Sequence, residues 1–469
     1  MTPNLRLKKQ RRIEAIFTRP IGILLTTSVF YGAVPKIKAS PITDKSENLG
    51  WSSFYDQPPI LGPSVKFIKA HTGLTIKGLS KSFFYGNVAG GKNMGAACDQ
   101  ELKLSAIYDF GFLNNTLKGL TLNGDIRLRE GQNPNGFVGA TNLFQPSNIE
   151  SGKYFRAMRL YFTYTTPRLF GIKEFLTISG GWENPHDTFL QQPLSKLFTN
   201  NTLESAKGLS ANIPWTTSYA GWGGYMKIKP THWYYFQTGL YMAIPNAPAN
   251  HNHGLYFAGH HVPGQPDSLY ALVETGFTPS IGPSQLAGKY AFGSYWFGIQ
   301  NTSWGGTPQQ GQYGFYWQAD QQLYRVPSDS TVIHEILGTQ STVSTSSPAP
   351  LSEKGLYFFS MFTYAPPYNN TLSFYFQSGL VYEGLIPTRD HDKLGIVYGY
   401  GSYSDQYANI NRSKHLPYAT NQSMVEIDYN MALTKWLNFR PFYQLLINPA
   451  ADNTQKNANV LGFAIFATF

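Results

Sequence analysis

Hydrophobic and polar residues alternate along residues 119–130, which read GLTLNGDIRLRE. From Leu120 to Leu128 every second side chain is apolar or small, and the residues between them are polar or charged. Because a β-strand points successive side chains to opposite faces, this pattern predicts a strand with one apolar and one hydrated face. A half-buried strand of a soluble sheet would fit, and so would a strand between lipid and a water-filled lumen.

The rest of the chain favours the second alternative, because sixteen segments carry this alternation or an aromatic-rich variant of it. Each is about 9 to 13 residues long, close to the roughly 9–11 residues with which a tilted strand crosses a bilayer. Strands of soluble sheets are usually shorter. We therefore predict an all-β fold, a closed antiparallel transmembrane β-barrel of about 16 strands that occupies residues 71–469. The predicted strands are 74–85, 101–110, 119–129, 155–165, 174–183, 219–229, 232–242, 269–280, 289–300, 312–324, 354–365, 371–382, 394–402, 422–432, 436–447 and 459–469.

The chain ends inside the last of these segments, with Leu461, Phe463, Ile465 and the terminal Phe469 on one face. A soluble domain could also bury such a strand. Together with the other fifteen segments, however, this ending is similar to the C-terminal signal that outer-membrane barrels present to the barrel-assembly machinery. We therefore expect that machinery to be a partner.

The connections between the predicted strands alternate in length over the first half of the chain. Linkers 111–118, 166–173, 230–231 and 281–288 are short, whereas 130–154, 184–218 and 243–268 are long. Transmembrane barrels combine short periplasmic turns with longer outer loops. The alternation fails at 325–353, which is long where a turn is due, and at 366–370, which is short. Either a periplasmic loop is inserted at 325–353 or a strand nearby is miscounted.

The first 39 residues have the layout of a secretory signal peptide. Six Arg and Lys residues precede the apolar stretch 21–34, and Ala39 offers a small residue for cleavage. The apolar stretch is shorter than the roughly 20 residues of a membrane-spanning helix, which argues against a retained anchor. Residues 40–70 are rich in proline and show little periodicity. We interpret them as a flexible periplasmic N-terminal extension, in preference to a partial plug of the lumen.

Composition agrees with a barrel that faces lipid. The chain contains 31 Tyr, 32 Phe and 9 Trp but only 14% charged residues, and its mean hydropathy is −0.27. Alternation averages the hydropathy of barrel strands, so a value near that of soluble proteins does not exclude them. The leader holds eight basic residues and one acid, so it accounts for most of the net charge of +10. Nucleic-acid binding is therefore not predicted.

Candidate catalytic and metal-binding motifs are weak. Residues 86–93, GNVAGGKN, differ from a P-loop at Asn93 and precede a strand rather than a helix, which favours a surface loop. The histidines at 251, 253, 260, 261 and 391 fall in connections, where solvated side chains are the simpler interpretation. The single Cys98 excludes an intrachain disulfide. We predict no cofactor, no metal site and no catalytic residue, although a membrane-bound hydrolase stays an alternative.

The polar faces of the predicted strands would line the lumen and determine which solutes pass. Mixed charges and amides offer hydrogen bonds to sugar hydroxyls without trapping them, and conduction requires release. The predicted channel-lining residues are Asp125, Arg127, Arg129, Arg159, Gln318, Asp320, Gln322, Glu426, Asp428 and Arg440.

The tryptophans allow two interpretations. Trp and Tyr favour the headgroup level of a membrane, so most of them are expected in girdles on the outer surface. A minority could stack on sugar rings inside the pore. Sequence alone does not separate the two for Trp222, Trp233, Trp317 and Trp436.

Five stretches together resemble the carbohydrate-selective porin OprB family. They are YGNVAGGK at 85–92, GWGGYMK at 221–227, DQQLYR at 320–325, GLVYEGLIPTRDHDKLG at 379–395 and WLNFRPFYQLLINP at 436–449. The resemblance covers most of the chain from about residue 70. It departs from the family pattern in the long connection 325–353 and at Met361, where a basic residue is expected.

The resemblance implies a porin of the bacterial outer membrane, crossed many times by the chain, that admits sugars by passive diffusion. Its partners would be the permeating sugars and outer-membrane lipid, and the protein would be a monomer or a homotrimer. Two alternatives stay open: a general or anion-preferring porin, and a secreted β-rich carbohydrate-binding protein or enzyme.

Overall fold

The structure is a computed structural model that describes residues 57–58, 61–132, 135–139, 143–147, 149, 153–204, 211–213, 220–243, 253, 268–327, 354–418 and 420–469. Sixteen long antiparallel strands form one closed barrel, as predicted. They are β1 (Leu74–Gly91), β2 (Gly95–Asp109), β3 (Leu120–Gly131), β4 (Tyr154–Thr165), β5 (Leu176–Glu183), β6 (Gly221–Ile228), β7 (Tyr234–Ala243), β8 (Ser268–Phe277), β9 (Leu286–Phe297), β10 (Gln312–Arg325), β11 (Gly355–Tyr364), β12 (Leu372–Glu383), β13 (Lys393–Tyr403), β14 (Asn421–Ala432), β15 (Leu437–Ile447) and β16 (Lys456–Thr468).

Pairing of the last strand with the first closes the barrel. Each strand pairs with the next along the chain, and β16 pairs with β1 from Leu79↔Thr468 to Gly91↔Lys456. Gly78 and the terminal Phe469 extend this ladder, since the N–H of each donates to the carbonyl of the other at 3.0 and 3.1 Å. The C-terminal strand therefore has partners on both sides.

The two faces of β3 have the environments that its alternation predicts. Ile126 and Leu128 are 37% and 40% exposed on the outer surface, whereas Arg127 and Arg129 are 8% and 5% exposed on the inner one. The last strand follows the same rule, because Leu461, Phe463 and Ile465 are exposed while Val460 and Ala464 are buried. The apolar outer surface corresponds to the lipid-facing band of a membrane barrel.

A β-bulge in β4 interrupts the alternation. The partner of Asp125 is Arg159 and the partner of Ile126 is Ala157, so one residue of β4 is left over. A bulge of this kind reverses which residues point inward along the strand. Arg156 and Met158 are buried on one side of the shift and the Arg159 side chain is 8% exposed on the other, so all three enter the interior.

The first hairpin is longer than predicted. β1 continues to Gly91 and β2 starts at Gly95, so the glycine-rich stretch that resembles a P-loop is mostly strand. The hairpin turns sharply because Gly90 and Gly91 both have positive φ angles. The Asn87 amide donates to the carbonyls of Gly90 and Asn93, both at 2.8 Å. The expected surface loop is therefore confined to residues 92–94.

The connections define two ends of the barrel. The turn end holds the start of β1, the end of β16 and the links after each even-numbered strand; the loop end holds the others. Because all sixteen strands are present in order, the long connection between β10 and β11 lies at the turn end, and a miscounted strand is ruled out. Residues 328–353 of this connection lie outside the described residues. At the loop end, helix α2 (Asp405–Ser413) connects β13 to β14.

Helix α1 (Leu61–Thr72) precedes β1 at the turn end, and most of it lies in the segment 40–70, for which the sequence predicted no regular element. None of its twelve residues is buried, and it contacts the start of β1. Among the described residues, no helix has the length and hydrophobicity to cross a bilayer.

Replacement of Ile126 by Arg should destabilise the barrel. An arginine on the lipid face costs about 2–4 kcal/mol near the middle of the bilayer and less near its surfaces. The measurement is the midpoint of urea-induced unfolding in lipid vesicles. The matched control is Ser105→Arg, which places the same side chain on the inner face of β2, opposite Asp125. We expect that variant to stay within about 1 kcal/mol of the parent. Equal midpoints for both variants would contradict the assignment of faces.

Candidate functional site

The connection between β5 and β6 turns back into the barrel. Residues 184–204, called here the inward segment, include many fully buried side chains, and Phe189 and Phe198 are both 0% exposed. Short 3-10 turns at Pro185–Asp187 and Ser195–Leu197 and a helical turn at Asn201–Glu204 give it local order. The interior is therefore partly filled by the protein's own chain.

Glu426 on β14 holds the C-terminal half of the inward segment. Its carboxylate accepts hydrogen bonds from the backbone N–H of Thr199 at 2.6 Å and of Asn200 at 3.1 Å. The Thr199 hydroxyl donates to it at 2.7 Å, and the amide of Gln444 on β15 donates at 3.2 Å. A buried carboxylate with four donors is well compensated for its loss of water.

Glu274 on β8 holds the N-terminal half in the same way. Its carboxylate accepts the backbone N–H of Leu190 at 2.9 Å, together with the hydroxyls of Tyr235 and Tyr316 at 2.8 and 2.9 Å. The amide of Gln237 adds a fourth donor at 2.9 Å. The two carboxylates thus fix backbone positions nine residues apart on two different strands of the wall.

Between these anchors, Gln192 attaches the segment to three further strands. Its side-chain amide donates to the carbonyls of Ala319 on β10 and Ser360 on β11, at 3.1 and 2.8 Å. Its side-chain oxygen accepts from the amide of Gln377 on β12 at 2.6 Å. The inward segment is therefore attached along the wall from β8 to β15.

Glycines on the inner wall provide room for the aromatic rings that enter the barrel. A Cβ atom added at Gly395 on β13 would lie 2.8 Å from the Phe198 ring, and one added at Gly239 on β7 would lie 2.9 Å from Phe189. The β3–β4 connection enters as well, because a Cβ at Gly399 would lie 2.5 Å from Phe144. These glycines are needed for close approach of the rings.

The opposite part of the wall carries charged side chains from β2, β3 and β4. Glu101 on β2 forms ion pairs with Arg129 at 2.5 Å and Arg127 at 3.5 Å. The Arg129 guanidinium also donates to the carbonyl of Ile149 in the β3–β4 connection. Cross-strand pairs of this kind fix the positions of the charges.

A second group of charges joins this wall to the inward segment. Asp125 pairs with Lys103 at 3.1 Å and with Arg159 at 2.9 Å, and Arg159 pairs with Asp187 of the inward segment at 2.5 Å. Solvent reaches this group, because the side chains of Lys103 and Asp187 are 23% and 37% exposed. We call the two groups, Glu101, Lys103, Asp125, Arg127, Arg129, Arg159 and Asp187, the charged network.

All ten residues predicted to line the channel have their side chains in the barrel interior, and the structure divides them into two groups. Asp125, Arg127, Arg129 and Arg159 belong to the charged network. The other six lie on the wall from β10 to β15 and are at most 6% exposed: Gln318, Asp320, Gln322, Glu426, Asp428 and Arg440. Asp428 and Arg440 face each other at 3.9 Å. Contact of any of the ten with a passing solute stays a prediction.

Sequence reasoning missed several residues of the site. Glu274 is the only charged residue in its strand, SLYALVETGF, and it occupies an inward position among Tyr270, Leu272 and Gly276. A single acid among apolar residues is the feature of the sequence that could have identified Glu274 as part of the site. Gln192, Lys103 and Asp187 had no comparable signal, because Gln192 and Asp187 lie outside the strands and Lys103 alternates like any polar strand residue.

The remaining candidates from the sequence are tryptophans, Met361 and histidines. Trp222 and Trp233 are exposed at 41% and 44%, and Trp317 stacks on Phe362 of the outer face with ring centroids 5.5 Å apart. Met361 is buried in the interior at 2% exposure. His251, His260 and His261 lie outside the described residues, and His253 contacts the carbonyl of Phe155 at 3.0 Å.

Asp390 and Asp392, which flank His391, form an ion pair and hydrogen bonds with other residues. Asp390 pairs with Lys354 at 2.6 Å, and Asp392 accepts from Arg389, Tyr429 and the backbone of Ala432. Burial opposes ionisation of Asp392, but the hydrogen bonds from Arg389 and Tyr429 outweigh it and hold its pKa below the usual value. In the described part of the chain, no cluster of His, Cys, Asp and Glu has a geometry suited to a metal ion.

Replacement of Glu426 by Gln should loosen the inward segment. The variant loses the charge on an acceptor of four hydrogen bonds, and a hydrogen bond to a charged group contributes about 1.5–3 kcal/mol. We expect a higher mean conductance and more current noise in single-channel recordings. The control is Asp392→Asn, which weakens a similar carboxylate in a turn outside the lumen and should leave the conductance unchanged. A Glu426→Gln channel with the parent's conductance and noise would contradict the anchoring role.

Comparison with solved structures gives the same fold. The chain resembles the high-pH structure of Pseudomonas putida OprB with a TM-score of 0.73 and 18% identity, over 87% of this chain and 97% of that one. The low-pH structure of the same protein gives a TM-score of 0.54 and 15% identity, over 88% and 98%. No curated protein matches the chain at the level of sequence.

The family comparison agrees with the resemblance seen in the five sequence stretches. A family model described as carbohydrate-selective porin, OprB family, matches residues 93–469, which comprise most of the chain and fifteen of its sixteen strands. Because the match extends from β2 to the last residue, it includes the inward segment and the charged network. The chain therefore belongs to the OprB family of carbohydrate-selective porins.

Proposed function

We propose that sugars cross this barrel by passive diffusion along the charged network, between the inward segment and the wall formed by β2, β3 and β4. The family and the fold are those of an outer-membrane sugar channel, not of an enzyme. The observation that carries the proposed route is the exposure of Lys103 and Asp187, whose side chains meet solvent inside the barrel. On the other wall, the six predicted lining residues are at most 6% exposed.

The pairing of charges suits a neutral, hydroxyl-rich solute. The charged network contains four cations and three anions, and each belongs to at least one ion pair. Paired charges keep oxygen and nitrogen atoms available for hydrogen bonds to the hydroxyl groups of a solute. Weak contacts at several positions allow a sugar to enter and to leave.

A general or anion-preferring porin is the second candidate. The charged network has one more cation than anion, and the buried cations Lys81 and Arg156 lie opposite Glu101 and Arg127 on the same wall, which favours anions. Met361, where a basic residue is expected on another part of the wall, acts in the opposite direction. Reversal potentials in planar bilayers under a salt gradient separate the two candidates. A ratio of chloride to potassium permeability far from one would favour the anion-preferring channel.

We also infer the processing and assembly of the chain from its sequence. Residues 1–39 are proposed as a signal peptide, and residues 40–70 as a periplasmic extension that ends in α1. The apolar outer face of β16 supports recognition by the barrel-assembly machinery. Size-exclusion chromatography with light scattering distinguishes a monomer from a homotrimer.

Liposome swelling tests the proposed function. Vesicles that contain the purified protein should swell in isotonic glucose, and more slowly in larger sugars. Asp187→Asn removes the exposed carboxylate of the charged network. We expect it to move the reversal potential toward anions and to change glucose-driven swelling by less than about threefold, since neutral solutes do not respond to net charge.

The matched control is Glu174→Gln, which removes a carboxylate of similar exposure from the turn between β4 and β5, where it pairs with Lys229 at 2.9 Å. That variant should leave both the reversal potential and the swelling rate unchanged. Absence of swelling for the parent in every sugar would refute sugar transport. An effect of Glu174→Gln as large as that of Asp187→Asn would refute the proposed route alone.

A further inference from the structure

One side of the turn end of the barrel carries a group of exposed basic and apolar side chains. Helix α1, the turn between β2 and β3 and the turn between β4 and β5 together expose five cations, which we call the basic arc: Lys66, Lys69, Lys118, Arg168 and Lys173. Within the described part of the chain, none of the five forms an ion pair. Their charges are therefore free to meet an outside partner.

Acidic residues in the same region are already occupied. Asp109 accepts the backbone N–H of Gly111 at 2.8 Å, and Glu174 pairs with Lys229 at 2.9 Å. The side-chain hydrogen bond from Lys229 holds the pKa of Glu174 below its usual value. In the described turns on the far side of the barrel, Lys354 and Arg389 are paired with Asp390 and Asp392, and Lys435 also has an interaction partner.

Large apolar side chains accompany the basic arc. Phe67, Leu113 and Phe170 are 63%, 65% and 80% exposed. Phe112 and Leu117 in the same region are 51% and 39% exposed. Exposed apolar side chains of this size are costly in water and usually mark a contact surface.

These three chain segments form one continuous surface. A Cβ at Gly73, directly after α1, would lie 2.6 Å from the Phe112 side chain. A Cβ at Gly119 would lie 3.6 Å from Pro167, which joins the two turns. Phe110 lies 6.1 Å from Phe162, a ring of the outer face of β4. The surface therefore adjoins the lipid-facing band of the barrel.

We propose that the basic arc and its apolar side chains bind anionic phospholipid headgroups of the periplasmic leaflet. Short turns of such barrels face the periplasm, so the arc lies at the level of that leaflet. Aromatic side chains beside lysine and arginine are typical of the membrane interface. Basic residues near an anionic surface attract it electrostatically, and five of them together make charge the main source of preference among lipids.

Native mass spectrometry of the full chain tests this proposal without reference to its transport activity. The detergent-solubilised protein is incubated with equal amounts of phosphatidylglycerol and phosphatidylcholine, and the bound lipids are counted. We expect the parent to retain phosphatidylglycerol preferentially. A turn-end variant should lose this preference by about fivefold or more. It carries Lys66→Gln, Lys69→Gln, Lys118→Gln and Arg168→Gln.

A loop-end variant with the same change in net charge is the matched control and should keep the preference of the parent. It carries four exposed substitutions: Lys92→Gln, Lys153→Gln, Lys414→Gln and Lys456→Gln. The shift of each unheated protein on an electrophoretic gel verifies that the barrel has formed. Equal loss of preference in the two variants, or none in the turn-end variant, would overturn the proposal.

Two further arms separate other ligands with the same chemistry. Displacement of phosphatidylglycerol by millimolar inorganic phosphate would indicate a phosphate site and overturn binding to a lipid surface. Sedimentation with purified peptidoglycan tests the cell wall as the partner. Co-sedimentation of the parent but not of the turn-end variant, with no preference among lipids, would assign the basic arc to the wall instead.

Discussion

Backbone pairing around a closed ring is the interaction on which the rest of this structure depends. Hydrocarbon offers no hydrogen bonds, so each N–H and C=O within a membrane must find a partner in the protein. The ladder between β1 and β16, extended by Gly78 and Phe469, gives the first and last strands the partner that a linear sheet lacks. Once the ring is closed, one face of every strand belongs to lipid and the other to the interior, and each side chain has only two possible environments.

Because each side chain of a strand faces either lipid or the interior, the strands are easy to recognise in the sequence. Alternation is a local property, and β3 shows it without interruption, so its faces could be assigned residue by residue. In β14 and β15 the apolar residues Met424, Phe442 and Leu446 also point inward, so alternation assigns only their polar residues. The ends of strands are harder to predict where the alternation of apolar and polar residues weakens. β1 extends six residues past its predicted end because small residues and glycines carry no alternation, and its hairpin is defined by backbone angles at Gly90 and Gly91. The bulge in β4 is similar: alternation alone places either Arg156 or Arg159 inside, not both.

The inward segment could not be predicted for a different reason. Its contacts join residues far apart in the chain: the hydrogen bond from Thr199 to Glu426 spans 227 positions, and that from Leu190 to Glu274 spans 84. No periodicity within 184–204 indicates such partners. The acids themselves look like ordinary lumen residues, and only the fold distinguishes a carboxylate that holds a loop, such as Glu426, from one that meets solvent, such as Asp187. The sequence therefore predicts which polar residues point into the interior, but it does not predict which residues they contact.

The carboxylates of Glu274 and Glu426 bind the inward segment mainly through its peptide groups. Leu190, Thr199 and Asn200 each donate a main-chain N–H, which every amino acid except proline possesses. Side chains of the segment that do not contact the wall can therefore change without loss of these two attachments. The surface that the interior offers to solutes can in this way change while the lipid-facing surface of the barrel stays the same.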